Sequence, residues 1–340
     1  MTEQILNSLK IKNLFGYKNI QLDFNKVTVL VGKNGSGKTT LLRILFSMLT
    51  TKPDADLDGV FDSAQLNLLD GKEITYGRLN EVNSNFDAIF KEAIELVIEK
   101  ALKNLKSRKN NITFDPPNLE EQLLIKNYKE QTEIYKTQAK INYEPLSGKH
   151  VIALPLLRNY LETSLNVRYI STVEISANAK RNVDIGNSIE KNLLTLAIRE
   201  EIRQLLATDN ARARRVFVRS ANSLLQDTGK KISIRNGELI SIDNHDKKRL
   251  NISQLSSGER QLIYILATAA NTINSPTVFL MDEPEISLHM SWQENLIDAL
   301  RLINPKMQIV IVTHSPAIVM KGYMDSYIDM KDILTEDKNV

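Results

Sequence analysis

The chain has 340 residues, of which 25% are charged, and its formal net charge is +3 at pH 7. A net charge this close to zero excludes a uniformly basic surface, so any contact with nucleic acid has to come from a local basic patch. The absence of cysteine excludes disulfides and thiolate metal sites, and no apolar run is long enough to span a bilayer. With no signal-like pattern at the N-terminus, we expect a cytoplasmic protein without membrane contact.

The first recognisable feature is a phosphate-binding loop between a strand and a helix. Val27 to Val31 is a short β-branched apolar run, typical of a buried parallel strand. Gly32 to Thr39 match the pattern GxxxxGK[ST], and a helix is predicted from Lys38. The glycines let backbone N–H groups point at phosphates, and the helix N-terminus adds positive potential. We predict nucleotide binding by these residues: Gly32, Asn34, Gly35, Ser36, Gly37, Lys38, Thr39 and Thr40.

A predicted hairpin and a long helical segment follow the loop. Residues 65–76 alternate in polarity around Asp70-Gly71, which indicates a β-hairpin. Apolar residues then recur at helical spacing, with a break at Asp115-Pro116-Pro117, so 81–140 is predicted to be a projecting helical hairpin. Its basic residues offer a possible contact to nucleic acid, although a solvated helix face is the simpler interpretation.

The middle of the chain is predicted to return to the sheet and then to form a second helical block. Residues 141–177 contain a predicted strand from Arg168, and 178–230 carry a leucine-rich stripe followed by an arginine cluster. The stripe is interpreted as core or a subunit contact, and the arginines are left unassigned. A hairpin around Asn236-Gly237 leads into the C-terminal part. The predicted lobes are 1–80 and 231–340, separated by 81–140, 141–177 and 178–230.

The C-terminal part carries a second set of polar motifs. Residues 255–259 read LSSGE and precede an apolar helix, so they can form a second anion site at its N-terminus. A serine N-cap with an acidic first turn explains the same letters, and both interpretations can hold together. The residues of this predicted site are Ser256, Ser257, Gly258 and Glu259.

Two further apolar strands end in residues suited to phosphate chemistry. Asp282 follows the run 278–281 and is predicted, with Thr39, to hold a magnesium ion. Glu283 comes next and is placed to act as general base toward water. His314 ends the third strand and is suited to contact a phosphate through its imidazole N–H. Glu283 and His314 are therefore the predicted catalytic residues.

The order of these motifs resembles that of the ABC-type ATPases of the SMC, RecF and OLD group. The resemblance covers the phosphate loop, LSSGE, Asp282-Glu283, the turn Ser287-Leu288-His289 and His314, with Leu9 to Tyr17 as the lead-in strand. It implies an α/β fold: an ABC-type P-loop ATPase head with a mixed sheet, an antiparallel flap and helical insertions. It also implies ATP and Mg²⁺ as cofactors. It further implies a homodimer or higher homo-oligomer that encloses ATP between the LSSGE segment of one protomer, called the signature, and the phosphate loop of the other.

One family residue is missing, and the biological setting is open. The family has a glutamine after a middle strand; none follows Arg168 to Glu174, and Gln65 is only a weak substitute. The residues that make up these motifs most resemble those of the ATPase subunits of bacterial anti-phage systems of the PARIS, Septu and retron kinds. We therefore expect an ATPase that senses phage infection and controls a separate effector, a nuclease or a toxin. The alternative is a RecF- or SMC-like ATPase that binds DNA in repair or maintenance; a transporter subunit is disfavoured by the glutamate of LSSGE.

Overall fold

A computed structural model describes these residues of the chain: 4–78, 149–153, 155–171, 182–184, 190–235, 238–243 and 247–335. The helical hairpin predicted for 81–140 lies outside them. The strands, in chain order, are β1 (Leu6–Leu14), β2 (Lys18–Asp23), β3 (Val27–Val31), β4 (Ser63–Leu68), β5 (Glu73–Gly77), β6 (His150–Ala153), β7 (Asn166–Ser171), β8 (Asn182–Asp184), β9 (Glu190–Asn192), β10 (Lys230–Arg235), β11 (Glu238–Asp243), β12 (Arg249–Leu250), β13 (Thr277–Asp282), β14 (Met307–Thr313), β15 (Tyr327–Asp329) and β16 (Leu334–Thr335).

The helices of the described residues lie mainly in the second half of the chain. They are α1 (Lys38–Thr50), α2 (Pro155–Thr163), α3 (Leu193–Ala207), α4 (Ala211–Leu224), α5 (Ser257–Ala270), α6 (Met290–Ile303) and α7 (Ala317–Met320). Among these residues no helix is long and apolar enough to cross a bilayer.

Two sheets build the fold. A five-stranded parallel sheet has the order β15-β3-β14-β13-β7. A six-stranded antiparallel sheet has the order β16-β2-β1-β4-β5-β6. A small antiparallel sheet of β10, β11 and β12 precedes the LSSGE segment. The prediction of an α/β P-loop fold with parallel strands and an antiparallel flap is confirmed.

The parallel sheet is buried on both faces, which explains the continuous apolar runs of its strands. Along β13, Val278 and Leu280 join the core shared with α1 and the antiparallel sheet. Phe279 and Met281 point the other way, into the core formed with α3, α4, α5 and α6. Helix α1 therefore lies between the two sheets, and the phosphate-binding loop that precedes it is fixed by packing on both sides.

The predicted hairpins are both present. β4 pairs with β5, and β10 pairs with β11, in antiparallel register. The leucine stripe of the helical block is core: Leu194, Ile198 and Leu205 of α3 are buried against the parallel sheet's helical layer.

Two local predictions differ from the structure. The N-terminal segment contains one more strand than predicted, because β2 pairs with β1 after a turn in which Phe15 and Gly16 both take positive φ. In the predicted helical block 178–230, the described residues before helix α3 at Leu193 are strands: β8 and β9 pair with each other. The sequence between these two strands contains Gly186 and Asn187, which disfavour helix and favour a turn.

Candidate nucleotide site

The parallel sheet brings the predicted site residues to one edge. In the strand register Asp282 lies opposite Val312, and Thr313 lies opposite Val31. The segments that follow β3, β13 and β14 therefore leave the sheet side by side. Carboxyl ends of parallel strands are where open α/β sheets place their ligands.

The loop after β3 has the backbone expected of a phosphate cradle. Gly35 and Gly37 have φ of +76° and +104°, in the region that favours glycine. A Cβ on Gly37 would lie 3.0 Å from the Leu14 side chain, which would have to shift to accommodate it. Ser36 Oγ is buried and has no hydrogen-bond partner among the described residues. A phosphate oxygen would satisfy it.

Lys38 is the buried cation of the site. Its Nζ donates to the carbonyl oxygens of Gly32 (2.8 Å) and Lys33 (3.2 Å), and lies 2.9 Å from His314 Nε2. Burial lowers the pKa of Lys38, and the nearby carboxylates of Glu283 and Asp282 oppose that shift. The ammonium is thus held at the mouth of the loop, surrounded by acceptors.

Asp282 and Thr39, the two residues predicted to hold magnesium, are in direct contact. Thr39 Oγ1 donates to Asp282 Oδ1 at 3.1 Å, and Tyr169 on β7 donates its hydroxyl to Asp282 Oδ2 at 3.4 Å. Burial raises the pKa of Asp282, and the hydrogen bonds from Thr39 and Tyr169 counteract it. Tyr169 was not predicted as a site residue; its only sequence signal is its place in a strand that ends beside β13.

Glu283 is held in an unusual backbone conformation. Its φ is 52°, which is uncommon for a residue with a side chain. Its backbone N–H donates to Val312 O at 2.8 Å, which ties it to β14. Burial, followed by the neighbouring carboxyl of Glu285, raises the pKa of Glu283 to about 7. A carboxyl with a pKa near neutrality is suited to proton transfer.

His314 lies between the base and the cation. Its Nε2 is 3.1 Å from Glu283 Oε1, in addition to its contact with Lys38. A neutral ring can accept from the ammonium, whereas a protonated Nε2 donates to the carboxylate. The predicted catalytic pair, Glu283 and His314, is therefore in direct contact.

The signature segment sits at the N-terminus of α5, and Ser256 is its N-cap. Ser256 Oγ accepts from the backbone N–H of Glu259, whose carboxylate accepts in return from the N–H of Ser256. Lys230 of β10 forms an ion pair with the buried Glu259 at 2.9 Å. Glu259 therefore supports the signature from inside the protomer, while Ser256 is exposed and Ser257 half-buried.

Gly258 is required by a close contact within the chain. A Cβ at this position would lie 2.2 Å from the backbone oxygen of Ser287, a residue with a φ of 72°. The signature helix thus packs directly on the turn that follows Glu283, so the two motifs are mechanically linked.

Aromatic side chains stand exposed beside the phosphate loop. Phe15 Cε2 would lie 3.1 Å from a Cβ on Gly37, and Lys18 Nζ lies 4.9 Å from the centroid of the Tyr17 ring. Tyr17 is 73% exposed. Flat exposed rings at this position suit stacking against a nucleobase, a feature that sequence reasoning missed.

The donor set fits a nucleotide with magnesium. Within the described residues no group of three or more His, Cys, Asp or Glu could hold a metal ion alone. Mg²⁺ commonly takes one or two protein oxygens and completes its shell with phosphate oxygens and water. Thr39 and Asp282, 3.1 Å apart, supply such a partial set next to the phosphate loop. Gln65, the weak glutamine candidate, is engaged instead by Glu73 at 2.6 Å.

Comparison with known proteins gives relatives over nearly the whole chain. The Retron Vc95 probable ATPase of Vibrio cholerae is 25% identical, covering 93% of this chain and 73% of the relative. The Retron Ec83 probable ATPase of Escherichia coli is 22% identical, covering 91% and 68%. The Septu protein PtuA of Bacillus thuringiensis is 22% identical, covering 99% and 78%.

Solved structures and a family model match as well. The SMC head domain from Thermotoga maritima is 14% identical, covers 93% of this chain and 91% of its own, and gives a TM-score of 0.46. An SMC head bound to the C-terminal winged-helix domain of ScpA is 12% identical, with coverages of 95% and 94% and a TM-score of 0.47. A family model matches residues 27–320, which is more than half of the chain. The chain therefore belongs to the family described as AAA domain, putative AbiEii toxin, Type IV TA system.

Proposed function

We propose that the chain binds and hydrolyses ATP. The observation that supports this most directly is the convergence, at one sheet edge, of a buried lysine, a hydroxyl–carboxylate pair and a carboxyl in contact with a histidine. These are Lys38, Thr39 with Asp282, and Glu283 with His314. The names of two relatives include the words probable ATPase, which agrees with the proposal.

Each residue has a role that follows from its position. The loop N–H groups and Lys38 bind the phosphates, and Thr39 with Asp282 would hold Mg²⁺, which neutralises phosphate charge when bound. Glu283 accepts the proton of the attacking water, and His314 contacts the terminal phosphate and orients Glu283. The role of the signature, residues 256–259, is to bind the nucleotide of a second protomer.

Replacing the base tests the assignment. Glu283→Gln keeps the shape of the side chain but cannot take a proton, so ATP turnover should fall by about two decades or more while ATP binding is kept. Turnover by phosphate release and binding by fluorescent-nucleotide titration measure the two effects separately. Glu294→Gln on α6 is a matched control that should leave both unchanged. Unchanged turnover in Glu283→Gln would show that another group is the base.

We propose further that the ATPase is a homodimer, or a higher homo-oligomer built from such pairs. The support is that Ser256 is exposed at the N-terminus of α5, while its own protomer already supplies the phosphate loop. A helix N-terminus with exposed hydroxyl and N–H groups is suited to a phosphate offered by a partner.

We also propose that nucleotide state gates a separate effector protein, a nuclease or a toxin, in anti-phage defence. The support is the similarity to retron and Septu proteins over more than nine-tenths of the chain. The alternative, a RecF- or SMC-like ATPase that acts on DNA, would use the helical insertions to contact nucleic acid. The exposed arginines Arg212, Arg215 and Arg219 of α4 are the observation that favours this second candidate.

Co-purification distinguishes these two settings. The wild type should retain a protein encoded beside it in an ATP-dependent manner, because protomers approach only with nucleotide bound; Lys38→Ala and Glu283→Gln should shift that retention in opposite directions. Phage plating on cells that carry both genes measures protection. ATP-dependent binding of duplex DNA, without a protein partner and without protection, would favour the DNA-acting alternative.

A further inference from the structure

Glu285 reaches from the turn after the proposed base to the segment that carries His314. The turn is tight, since Ile286 N donates to Glu283 O and Leu288 N donates to Glu285 O. From it Glu285 Oε1 accepts two backbone hydrogen bonds, from His314 N at 2.7 Å and from Ser315 N at 3.2 Å. A carboxylate that accepts two adjacent N–H groups is a strong and geometrically specific anchor.

The anchored segment begins where β14 ends, and its histidine ring reaches the site. His314 places Nε2 at 3.1 Å from Glu283 Oε1 and 2.9 Å from Lys38 Nζ. The backbone of His314 is thus fixed by Glu285, while its ring contacts Glu283. The same short turn, Glu283 to Glu285, therefore contacts both the backbone and the ring of His314.

The remaining anchors of this segment act on the next residue. Ser315 N also donates to Thr313 Oγ1 at 2.8 Å, and Ser315 Oγ donates to Gln293 Oε1 at 2.6 Å. Among the described residues, the backbone N–H of His314 donates to Glu285 Oε1. Loss of Glu285 therefore frees the histidine more than the serine.

The second oxygen of Glu285 takes no part in this anchor. Glu285 Oε2 is buried, and within the described part of the chain it accepts no N–H or O–H bond. The carboxyl groups of Glu283 and Glu285 both interact electrostatically with Lys38. Glu285 thus lies on the same turn as the proposed base, Glu283, and binds the backbone of His314.

We infer that Glu285 is a positioning residue for hydrolysis: by anchoring the backbone of His314 it sets the histidine ring between Glu283 and Lys38. The inference rests on the proposed ATP hydrolysis at this site. Nucleotide binding does not depend on it, because the phosphate loop and Thr39 are held by other contacts.

Three substitutions of Glu285 distinguish the effect of its oxygen position from the effect of its charge. Glu285→Gln keeps the oxygen that accepts both N–H bonds and removes the charge; Glu285→Asp keeps the charge and withdraws the oxygen by one methylene; Glu285→Ala removes both. We expect kcat for ATP to stay within about threefold of the wild-type value in Glu285→Gln. In Glu285→Asp and Glu285→Ala it should fall about tenfold or more, with KM little changed, because misplacing a group that contacts the reacting atoms lowers the rate. Glu200→Ala on α3, an exposed position, is the control.

A double-mutant cycle shows whether Glu285 acts through the histidine. Glu285→Ala combined with His314→Ala should be no slower than His314→Ala alone, since the anchor has nothing left to position. Additive losses in the double variant, or a Gln variant as slow as Ala, would overturn the inference. If Glu283→Gln turns over ATP as fast as the wild type, the assignment of the base fails, whatever the result of the cycle.

Amide hydrogen exchange tests the anchor of His314 without relying on ATP turnover. The N–H of His314 should exchange about tenfold faster in Glu285→Asp and Glu285→Ala than in the wild type, and at the wild-type rate in Glu285→Gln. The Glu200→Ala control should show wild-type exchange. Equal exchange in all the Glu285 variants would overturn the anchor even if no variant hydrolyses ATP.

Discussion

At the scale of single residues, several acidic side chains lie close to Lys38 at the edge of the parallel sheet. The carboxylates of Asp282, Glu283 and Glu285 favour the charged form of Lys38. Burial opposes charge at this site: it lowers the pKa of Lys38 and raises the pKa values of Asp282 and Glu283. Backbone strain accompanies this arrangement, since Glu283 and Ser287 both have positive φ. Unfavourable local conformations of this kind persist only where the surrounding structure fixes them, which happens most at functional sites.

The raised pKa of Glu283 predicts how the nucleotide-free protein depends on pH. The carboxyl has a pKa of 4.5 in the unfolded chain and about 7 in the fold, so the folded state binds more protons in that window. Folding stability contributed by this group is present below pH 4.5 and is lost as pH rises through 7. Glu283→Gln mimics the protonated form. Its Tm relative to wild type should therefore be higher at pH 8 than at pH 5.

Thermal unfolding followed by circular dichroism at the two pH values measures that difference. The control is Glu73→Gln, at a half-buried carboxyl on β5 of the antiparallel sheet, remote from the acidic cluster. A Tm difference for Glu283→Gln that does not grow with pH would contradict the raised pKa.

At the scale of elements, β14 joins the two sheets through one buried side chain. Gln308 Oε1 accepts from Ile5 N and Leu6 N at 2.8 and 2.7 Å, and its Nε2 donates to Leu6 O and Asn25 O. β14 is a central strand of the parallel sheet, and Ile5 and Leu6 lead into β1 of the antiparallel sheet. The amide thus satisfies backbone groups at the start of β1 and in the segment before β3.

Removing that amide should destabilise the fold. Gln308→Ala leaves several buried backbone groups without their partner, and each such group costs about 1–3 kcal/mol, so the free energy of unfolding should fall by about 2 kcal/mol or more. Urea denaturation measures it. Gln226→Ala, at an exposed position after α4, should change it by less than about 0.5 kcal/mol. Equal effects of the two substitutions would show that Gln308 is not an essential link.

At the scale of the whole molecule, the two ends of the chain build both sheets. β15 pairs with β3, and β16 pairs with β2, so strands from the C-terminal part complete sheets begun by the N-terminal part. The phosphate loop and the Asp282-Glu283 strand are held in one body by this interleaving. A protomer that carries both the loop and an exposed signature is suited to pairing with a second copy.

Mixing two inactive variants tests the shared site. Lys38→Ala disables the phosphate loop, and Ser257→Arg blocks the signature without removing the N-cap Ser256. A heterodimer then has one doubly damaged site and one intact site, so the mixture should recover partial ATPase activity. Ser257 is preferred to Gly258 because any side chain at Gly258 would strike Ser287 within the same protomer. A mixture that stays inactive, although heterodimers are shown by tag capture, would contradict composite sites.

Much of the fold was readable from local patterns. The strands at 27–31, 277–282 and 307–313, the helix from Lys38 and both hairpins follow from apolar runs, glycine positions and turn residues. Two features were missed where local signals are weak or opposed: β2 after a turn with positive φ at Phe15, and the short strands β8 and β9 inside a stretch expected to be helical. Propensity in such short segments yields to pairing with neighbouring strands.

The sequence alone determined the phosphate loop, the LSSGE helix start and the acidic and histidine strand ends, because each is a contiguous pattern with its own backbone or chemical requirement. Which of these residues touch depends on how the strands are arranged in the folded chain. The register of β13 against β14 brings Glu283 to His314, and the turn after Glu283 carries Glu285 to the His314 backbone. Tyr169 reaches Asp282 for the same reason, since β7 lies beside β13. Contacts between residues distant in sequence depend on strand order and register, which short motifs do not encode.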